Sequence, residues 1–249
     1  MSKILVLIPA RYGSTRLAAK PLAKIGETTM VGHMVRNLSH AQLETYVVTD
    51  HDDIEAEVAK HGGKSLRVDD DVPTGSERIA LAFQRHFAGK ENFDLVINAQ
   101  GDEPLMKSSL ILSIAEFHLK SNFAVATAVV PRVGDTEEYH SPMTVKVAFT
   151  PSSGRCHYFS RSPLPFYRDP AAPIHWYQHL GVYSYRPEVL LKLGTLKNSW
   201  LEKAEMLEQL RLLESDFTMG AATTNDRLIS VDVKEDIARV ESELKKKKG

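Results

Sequence analysis

Four short apolar runs that do not alternate with polar residues constrain this chain more than any other feature. Residues 3–9, 45–49, 95–99 and 124–130 are rich in Val, Ile and Leu, as strands covered on both faces are. Between them, residues 30–40, 52–61, 76–87 and 108–120 read as helices. Repeated strand–helix units with right-handed crossovers predict an α/β fold: a mostly parallel, Rossmann-like sheet with helices on both faces. Further on, residues 145–149 and 155–160 read as strands joined by the turn-like Pro151-Ser152-Ser153-Gly154, an inserted antiparallel hairpin. A helix is predicted over 200–214, because Ser199 and Glu202 have capping-box spacing and Leu201, Ala204, Leu207, Leu210 and Leu213 make one apolar stripe. Glu205, Glu208 and Gln209 fall on its other face. A last helix over 234–246 buries Ile237, Val240 and Leu244. With no repeat and no linker, one domain over 1–249 is expected, carrying an insertion around 140–190.

Charge narrows the partners. The 31 basic and 32 acidic side chains leave a formal charge of −1, so neither nucleic acid nor an anionic membrane is expected, and small molecules are. The lysines at 245–248 suit the end of a helix. The apolar run from Ile4 to Ala10 is far short of the roughly 20 residues that span a bilayer. Cys156 is the only cysteine, which excludes an intrachain disulfide and makes the cytoplasm the expected location.

In an open parallel sheet, ligands bind beyond the carboxyl ends of the strands. The first strand runs into a small-residue loop, Arg11 to Leu22, whose Arg11, Arg16 and Lys20 could wrap a polyphosphate with the help of backbone N–H groups. It matches neither a dinucleotide fingerprint nor a Walker loop. The third strand ends in Asn98-Ala99-Gln100-Gly101-Asp102-Glu103-Pro104, which makes Asp102 a candidate Mg²⁺ ligand or the Asp of a Gly-Asp turn. Asp232 offers a second carboxylate, and with Glu235 it also fits a helix cap. Asp69-Asp70-Asp71 could be the DxD element of a nucleotide-sugar glycosyltransferase, although an acidic turn is the simpler reading. Thr74 or Ser76 can cap the helix that follows it. The ten histidines include no HExxH, and no GxSxG elbow is present.

Taken together, IPARYGSTRLAAKPL, DVPTGSERIA, NAQGDEPL, VKVAF with YFSRSPLPF, QHLGVYSYR, LEKAEMLEQLRLLE and VDVKEDIARV resemble the 3-deoxy-manno-octulosonate cytidylyltransferases (CMP-Kdo synthetases) of lipopolysaccharide assembly, along the whole chain. The resemblance implies a nucleotidyltransferase that moves CMP from CTP to the anomeric hydroxyl of an eight-carbon sugar acid and releases pyrophosphate, with Mg²⁺ as cofactor. It implies that Arg11, Arg16 and Lys20 neutralise the triphosphate, with Gly13 and Ser14 lining it. Asp102 and Asp232 match the two metal-binding acids; with Lys20 and Arg16 they form the catalytic set. Thr74, Gly75 and Arg78 match the nucleotide-side loop. Gln100, Arg161, His179, Tyr183, Glu208 and Gln209 fall where the family lines its sugar-acid pocket, Arg161 suiting the sugar carboxylate. The family also pairs two subunits through the hairpin region, so a homodimer is expected.

The chain departs from that pattern in places. Ala18-Ala19 stands where the family usually has Pro-Gly, which removes easy access to positive φ beside the phosphates. Val72-Pro73 replaces a polar pair, and Ser230-Val231-Asp232-Val233-Lys234 replaces Gly-Val-Asp-Thr-Pro while keeping the acid. Such changes could accompany the 8-amino derivative of Kdo. Two other classes stand beside the leading one: a glycosyltransferase using Asp69 and Asp71, and a non-catalytic nucleotide- or sugar-binding homologue.

Overall fold

In the computed structural model, which describes residues 2–13, 17–169 and 171–246, the first apolar run forms β1 (Ile4–Ala10). Leu5, Val6, Leu7 and Ile8 are all buried. Successive side chains point to opposite faces of a strand, so both faces are covered, and this is why the run does not alternate. Two short antiparallel strands, β2 (Lys24–Ile25) and β3 (Thr28–Thr29), follow. β1 pairs in parallel with β4 (Glu44–Thr49) on one side and with β6 (Leu95–Asn98) on the other, and β4 pairs in parallel with β5 (Ser65–Arg67). The helices between them are α1 (Met30–Ser39), α2 (Asp52–Lys60) and α3 (Gly75–His86), and α4 (Ser108–Leu119) follows β6. Thr29 caps α1 and Thr74 caps α3, each hydroxyl accepting a backbone N–H of the first turn.

The chain divides into two compact units, Met1–Leu112 with Arg227–Gly249, and Ser113–Asp226. The sequence predicts one domain with an insertion around 140–190; the second unit takes in that stretch and residues on both sides of it. It holds β7 (Val125–Val133), α5 (Glu137–His140), β8 (Lys146–Thr150), β9 (Arg155–Ser160), β10 (His175–Tyr185), α6 (Pro187–Leu193), α7 (Trp200–Glu205), α8 (Gln209–Glu214) and β11 (Met219–Thr223). β7 pairs antiparallel with β10 and parallel with β11, β11 pairs antiparallel with β9, and β9 with β8. β8 also meets β10 where Lys146 opposes Gln178. The predicted hairpin is present, and its strands find partners within the unit on both sides. The buried ammonium of Lys146 is satisfied by the carbonyls of Ser141 (2.9 Å), Thr144 (2.7 Å) and Arg161.

The helix expected over 200–214 is two helices. Met206 adopts a left-handed conformation, φ 52 and ψ 47, and ends α7; α8 begins at Gln209. The break shifts the phase, so Ala204 faces solvent while Gln209 is buried. The capping box between Ser199 and Glu202 is present as predicted. The last helix, α9 (Lys234–Lys246), returns to the first unit. There Val240 joins a cluster with Ile25, Met30, Leu105 and Val231, against which Ile237 and Leu244 pack.

Buried histidines make stability depend on pH, and His118 is one of them. His118 accepts from the Ser184 hydroxyl at Nδ1 (2.8 Å) and donates from Nε2 to the Phe123 carbonyl (2.9 Å). Burial pushes its pKa down to about 4. Between about pH 4 and the ordinary histidine value near 6.5, the unfolded chain therefore binds a proton that the folded chain does not. The stability His118 contributes is present in full above about pH 6.5 and falls by up to about 3 kcal/mol as the pH drops toward 4; His179, also buried and lowered, adds to the loss over the same range. Urea midpoints across that range should show the slope, and His118→Gln should flatten part of it; an unchanged slope in the variant would exclude this role.

Candidate active site

Several strand ends of the first unit open into one cleft of about 220 Å³, lined by Arg11, Lys20, Thr74, Gly75, Gln100, Asp102 and Asp232 among others. Local structure fixes how they arrive there. Gly101 sits so close to β1 that a Cβ would lie 2.4 Å from the Pro9 carbonyl oxygen. Only glycine fits at that approach, and it places Asp102 in the turn beyond the end of β6. A Cβ on Gly75 would lie 3.1 Å from Pro9 Cγ, so the first turn of α3, with the backbone donors of a helix start, also closes on the end of β1.

Lys20 begins a 3₁₀ turn, Lys20–Leu22. Its Nζ donates to Asp102 Oδ2 (2.9 Å) and to Asp232 Oδ1 (3.0 Å). Two carboxylates, one beyond the end of β6 and one just before α9, thus converge on a single cation. Ala19, just before the turn, has φ 48 and ψ 40. The resemblance implies glycine at this position, and alanine holds the left-handed conformation at a cost of about 1 kcal/mol. Ala19→Gly should therefore raise stability by about 1 kcal/mol in urea denaturation; a destabilised variant would contradict the strain.

The main chain ties the two acids as well. The Val231 N–H donates to the Asp102 carbonyl (2.9 Å), and Asp236 Oδ2 accepts the N–H groups of Asp232 (2.9 Å) and Val233 (3.1 Å) at the start of α9. Asp232 is thus at a helix start, but Asp236 supplies the cap. Glu103 is buried; burial, with the Asp102 charge beside it, pushes its carboxyl up to about 8.

The other predicted site residues divide as follows. Ser14 and Arg16 lie outside the described residues. Gly13 is exposed, with open space where a Cβ would be. Arg78 lines the cleft, but its buried guanidinium donates to the carbonyls of Val68 (2.5 Å) and Asp70 (3.4 Å) and pairs with Asp50 (3.3 Å). Asp50 also accepts the Tyr12 N–H (2.9 Å), and the Tyr12 ring stacks on His51 with centroids 3.7 Å apart. Asp50 therefore anchors the start of the loop that follows β1. Sequence reasoning passed over it, although it directly follows β4 as Asp102 follows β6. Asp69 pairs with Arg67 and Asp70 with Arg85, which agrees with an acidic turn.

Arg161, His179, Tyr183, Glu208 and Gln209 all lie in the second unit. Arg161 donates from its guanidinium to the carbonyls of Glu205 (2.8 Å), Pro142 (2.8 Å) and Met206 (3.3 Å), and its N–H donates to Glu205 Oε2 (2.9 Å). His179 is buried with Nε2 3.0 Å from the Thr127 hydroxyl, and burial pushes its pKa down to about 3. Tyr183 lies beside it, ring centroids 5.5 Å apart; burial raises the phenol well above its ordinary value, and Tyr185 and Glu208 add to this. Gln209 is buried, and its Nε2 has no hydrogen-bond partner among the described residues.

As to a metal, among the described residues no three His, Cys, Asp or Glu side chains are grouped to hold one; the cleft offers two carboxylates. Because Lys20 Nζ is 2.9 Å from one oxygen and 3.0 Å from the other, those oxygens are at most about 6 Å apart. Mg²⁺ binds oxygen at about 2.1 Å, takes one or two protein carboxylates and leaves its other positions to phosphate and water. The donor set fits that ion.

A family model described as cytidylyltransferase matches residues 5–222. The 3-deoxy-manno-octulosonate cytidylyltransferase of Cytophaga hutchinsonii is 38% identical over 246 residues, covering 95% of this chain and 96% of its own. That of Myxococcus xanthus is 37% identical over 249 residues, covering 99% and 98%. The solved structure of a CMP:2-keto-3-deoxy-manno-octonic acid synthetase complexed with CTP superposes with a TM-score of 0.89 at 31% identity, covering 99% of this chain and 100% of that one.

Proposed function

The chain belongs to the 3-deoxy-manno-octulosonate cytidylyltransferase family, and from that premise we infer that its Lys20–Asp102–Asp232 cleft carries out the family's transfer of CMP from CTP to the sugar acid. The observation that carries this reading is the lysine shared between two acids at the strand ends. In the reaction the anomeric hydroxyl oxygen forms a bond to the α-phosphorus and the bond from that phosphorus to the α,β-bridging oxygen breaks. Pyrophosphate leaves with the electron pair, and the hydroxyl proton passes to water.

Asp102 and Asp232 would hold Mg²⁺, which when bound supplies positive charge against the α-phosphate. Lys20 would then be released toward the phosphates and, with Arg11, Arg16 and the first turn of α3, would balance the charge that develops on the leaving group. Ser14, Gly13, Thr74, Gly75 and Arg78 border the nucleotide in this reading, Arg78 by holding the Val68–Asp70 segment in place. Gln100, Arg161, His179, Tyr183, Glu208 and Gln209 serve the sugar acid, the Gln209 Nε2, which has no partner among the described residues, being suited to a hydroxyl. Kdo or its 8-amino derivative is the acceptor, in lipopolysaccharide biosynthesis. Two copies pair through the hairpin region, where Met143 and Phe166 expose apolar surface, and light scattering at the 27.8 kDa of one chain would exclude that pairing. The lone buried thiol supports a cytoplasmic location.

A pyrophosphate-release assay that crosses the four nucleoside triphosphates with both sugar acids, with and without Mg²⁺, tests the reading. Release is expected only with CTP, a sugar acid and Mg²⁺ together. Release without the sugar acid, or with Mg²⁺ withheld, would refute it.

A further inference from the structure

Asp102 and Asp232 sit on segments far apart in the chain, and a metal site made of two acids depends on how those segments are held together. Beside Asp102, Glu103 is buried and accepts at Oε1 a hydrogen bond from the hydroxyl of Ser230, two residues before Asp232. Its other oxygen, Oε2, has no hydrogen-bond partner among the described residues. The backbone bond from Val231 N–H to the Asp102 carbonyl lies next to this contact, and Leu105 and Val231 pack in one apolar cluster.

We propose that Glu103 and Ser230 are positioning residues for the metal: their hydrogen bond latches the Asp102 turn to the Asp232 segment and sets the spacing at which the two carboxylates share one ion. The inference rests on the reading of Asp102 and Asp232 as metal ligands. Neither latch residue supplies an oxygen to that pair, so its loss acts through the spacing. Removing partners that orient metal ligands weakens metal binding by about 10- to 100-fold. The apolar cluster and the Val231 bond involve neither latch side chain, so the fold of the first unit should be kept in the variants.

The test follows Mg²⁺ titrations of the full chain with α,β-methylene-CTP, an analogue that cannot release pyrophosphate, read by thermal melting, beside Mg²⁺ titrations of turnover with CTP. Ser230→Ala and Glu103→Ala are expected to move the Mg²⁺ midpoint up by about tenfold or more in both readouts. At saturating Mg²⁺, kcat and the KM for CTP should return to within about twofold of the wild type, a split that general loss of structure would not produce. Glu103→Gln keeps an acceptor for the Ser230 hydroxyl and should titrate like the wild type. Should Ser230→Ala not fold, Ser230→Gly removes the same hydroxyl without adding bulk.

Wild-type midpoints in Ser230→Ala and Glu103→Ala would overturn the latch while leaving the metal reading intact. A shift in Glu103→Gln as large as in Glu103→Ala would also overturn it, by assigning the effect to charge. A wild type with no Mg²⁺ midpoint at all would overturn the metal reading and the latch together.

Discussion

Asp102→Asn and Asp232→Asn should each lower kcat by about a thousandfold, or roughly 4 kcal/mol of transition-state stabilisation. Both carboxylates reach the same ammonium, at 2.9 and 3.0 Å, so either change removes one of two charges focused on one point. The double variant should lose little more than each single one, because groups that act as a unit are not additive. Folding should survive. The Val231 N–H is accepted by the main-chain carbonyl of Asp102, not by its carboxylate, and the start of α9 is capped by Asp236. Lys20→Met should also lose most activity, but its Mg²⁺ midpoint should fall, since the two acids would no longer be shared with a fixed cation. Pyrophosphate release and Mg²⁺ titrations on the three variants check this, and wild-type turnover in either Asn variant would remove that acid from the chemistry.

A stability loss of about 3 to 5 kcal/mol is expected for Arg211→Ala, the largest for any single side chain discussed. Arg211 Nε donates to Glu202 Oε2 (2.8 Å) and Nη2 donates to Oε1 (2.5 Å), a two-pronged pair whose side chains are 2% and 10% exposed. Burial alone would raise the Glu202 carboxyl, but the hydrogen bonds from Arg211 and the Ser199 N–H outweigh it and hold the group below its ordinary value. Removing the guanidinium leaves that carboxylate buried without its partner. The pair also spans the break at Met206, joining α7 to α8, so the start of α8 should shift and carry Glu208 and Gln209 with it. A raised KM for the sugar acid should accompany the lost stability. Arg211→Met with Glu202→Gln should lose less than the sum of the two single changes. Urea denaturation at pH 7 measures each, and a loss under about 1 kcal/mol for Arg211→Ala would show that the pair contributes little.

Much of this was legible from residue order, and where it was not the reason is physical. β1, β4 and β6 announce themselves because burial on both faces erases alternation. β5 is three residues long, too short for any pattern. β10 alternates irregularly and shifts its register against β7 between Leu180 and Ser184, and β11 reads as Met-Gly-Ala-Ala-Thr, without the branched residues that mark a strand. The break in the 200–214 helix had no local signal. Met206 is neither Gly nor Pro, and the leucines continue at helical spacing across it.

Within the cleft, Asp102 and Asp232, which share Lys20, could be singled out as candidates because one follows a strand and the other starts a helix. The resemblance pointed to Lys20 and to the strained position before it, where Ala19 does adopt the positive φ that glycine would favour. The commitments of Arg78 and Arg161 to backbone carbonyls could not be read from sequence, since a guanidinium that holds a loop and one that binds an anion are spelled alike. The contact between Glu103 and Ser230 joins segments 127 residues apart, and no spacing rule reaches that far.

The most direct test is anomalous diffraction from crystals grown with CTP and Mn²⁺. A single Mn²⁺ peak bonded at once to Asp102, Asp232 and a CTP phosphate oxygen, with Lys20 turned from the acids to the phosphates, is the predicted result. A peak that touches neither acid, or Lys20 still bridging both beside bound CTP, would contradict the account.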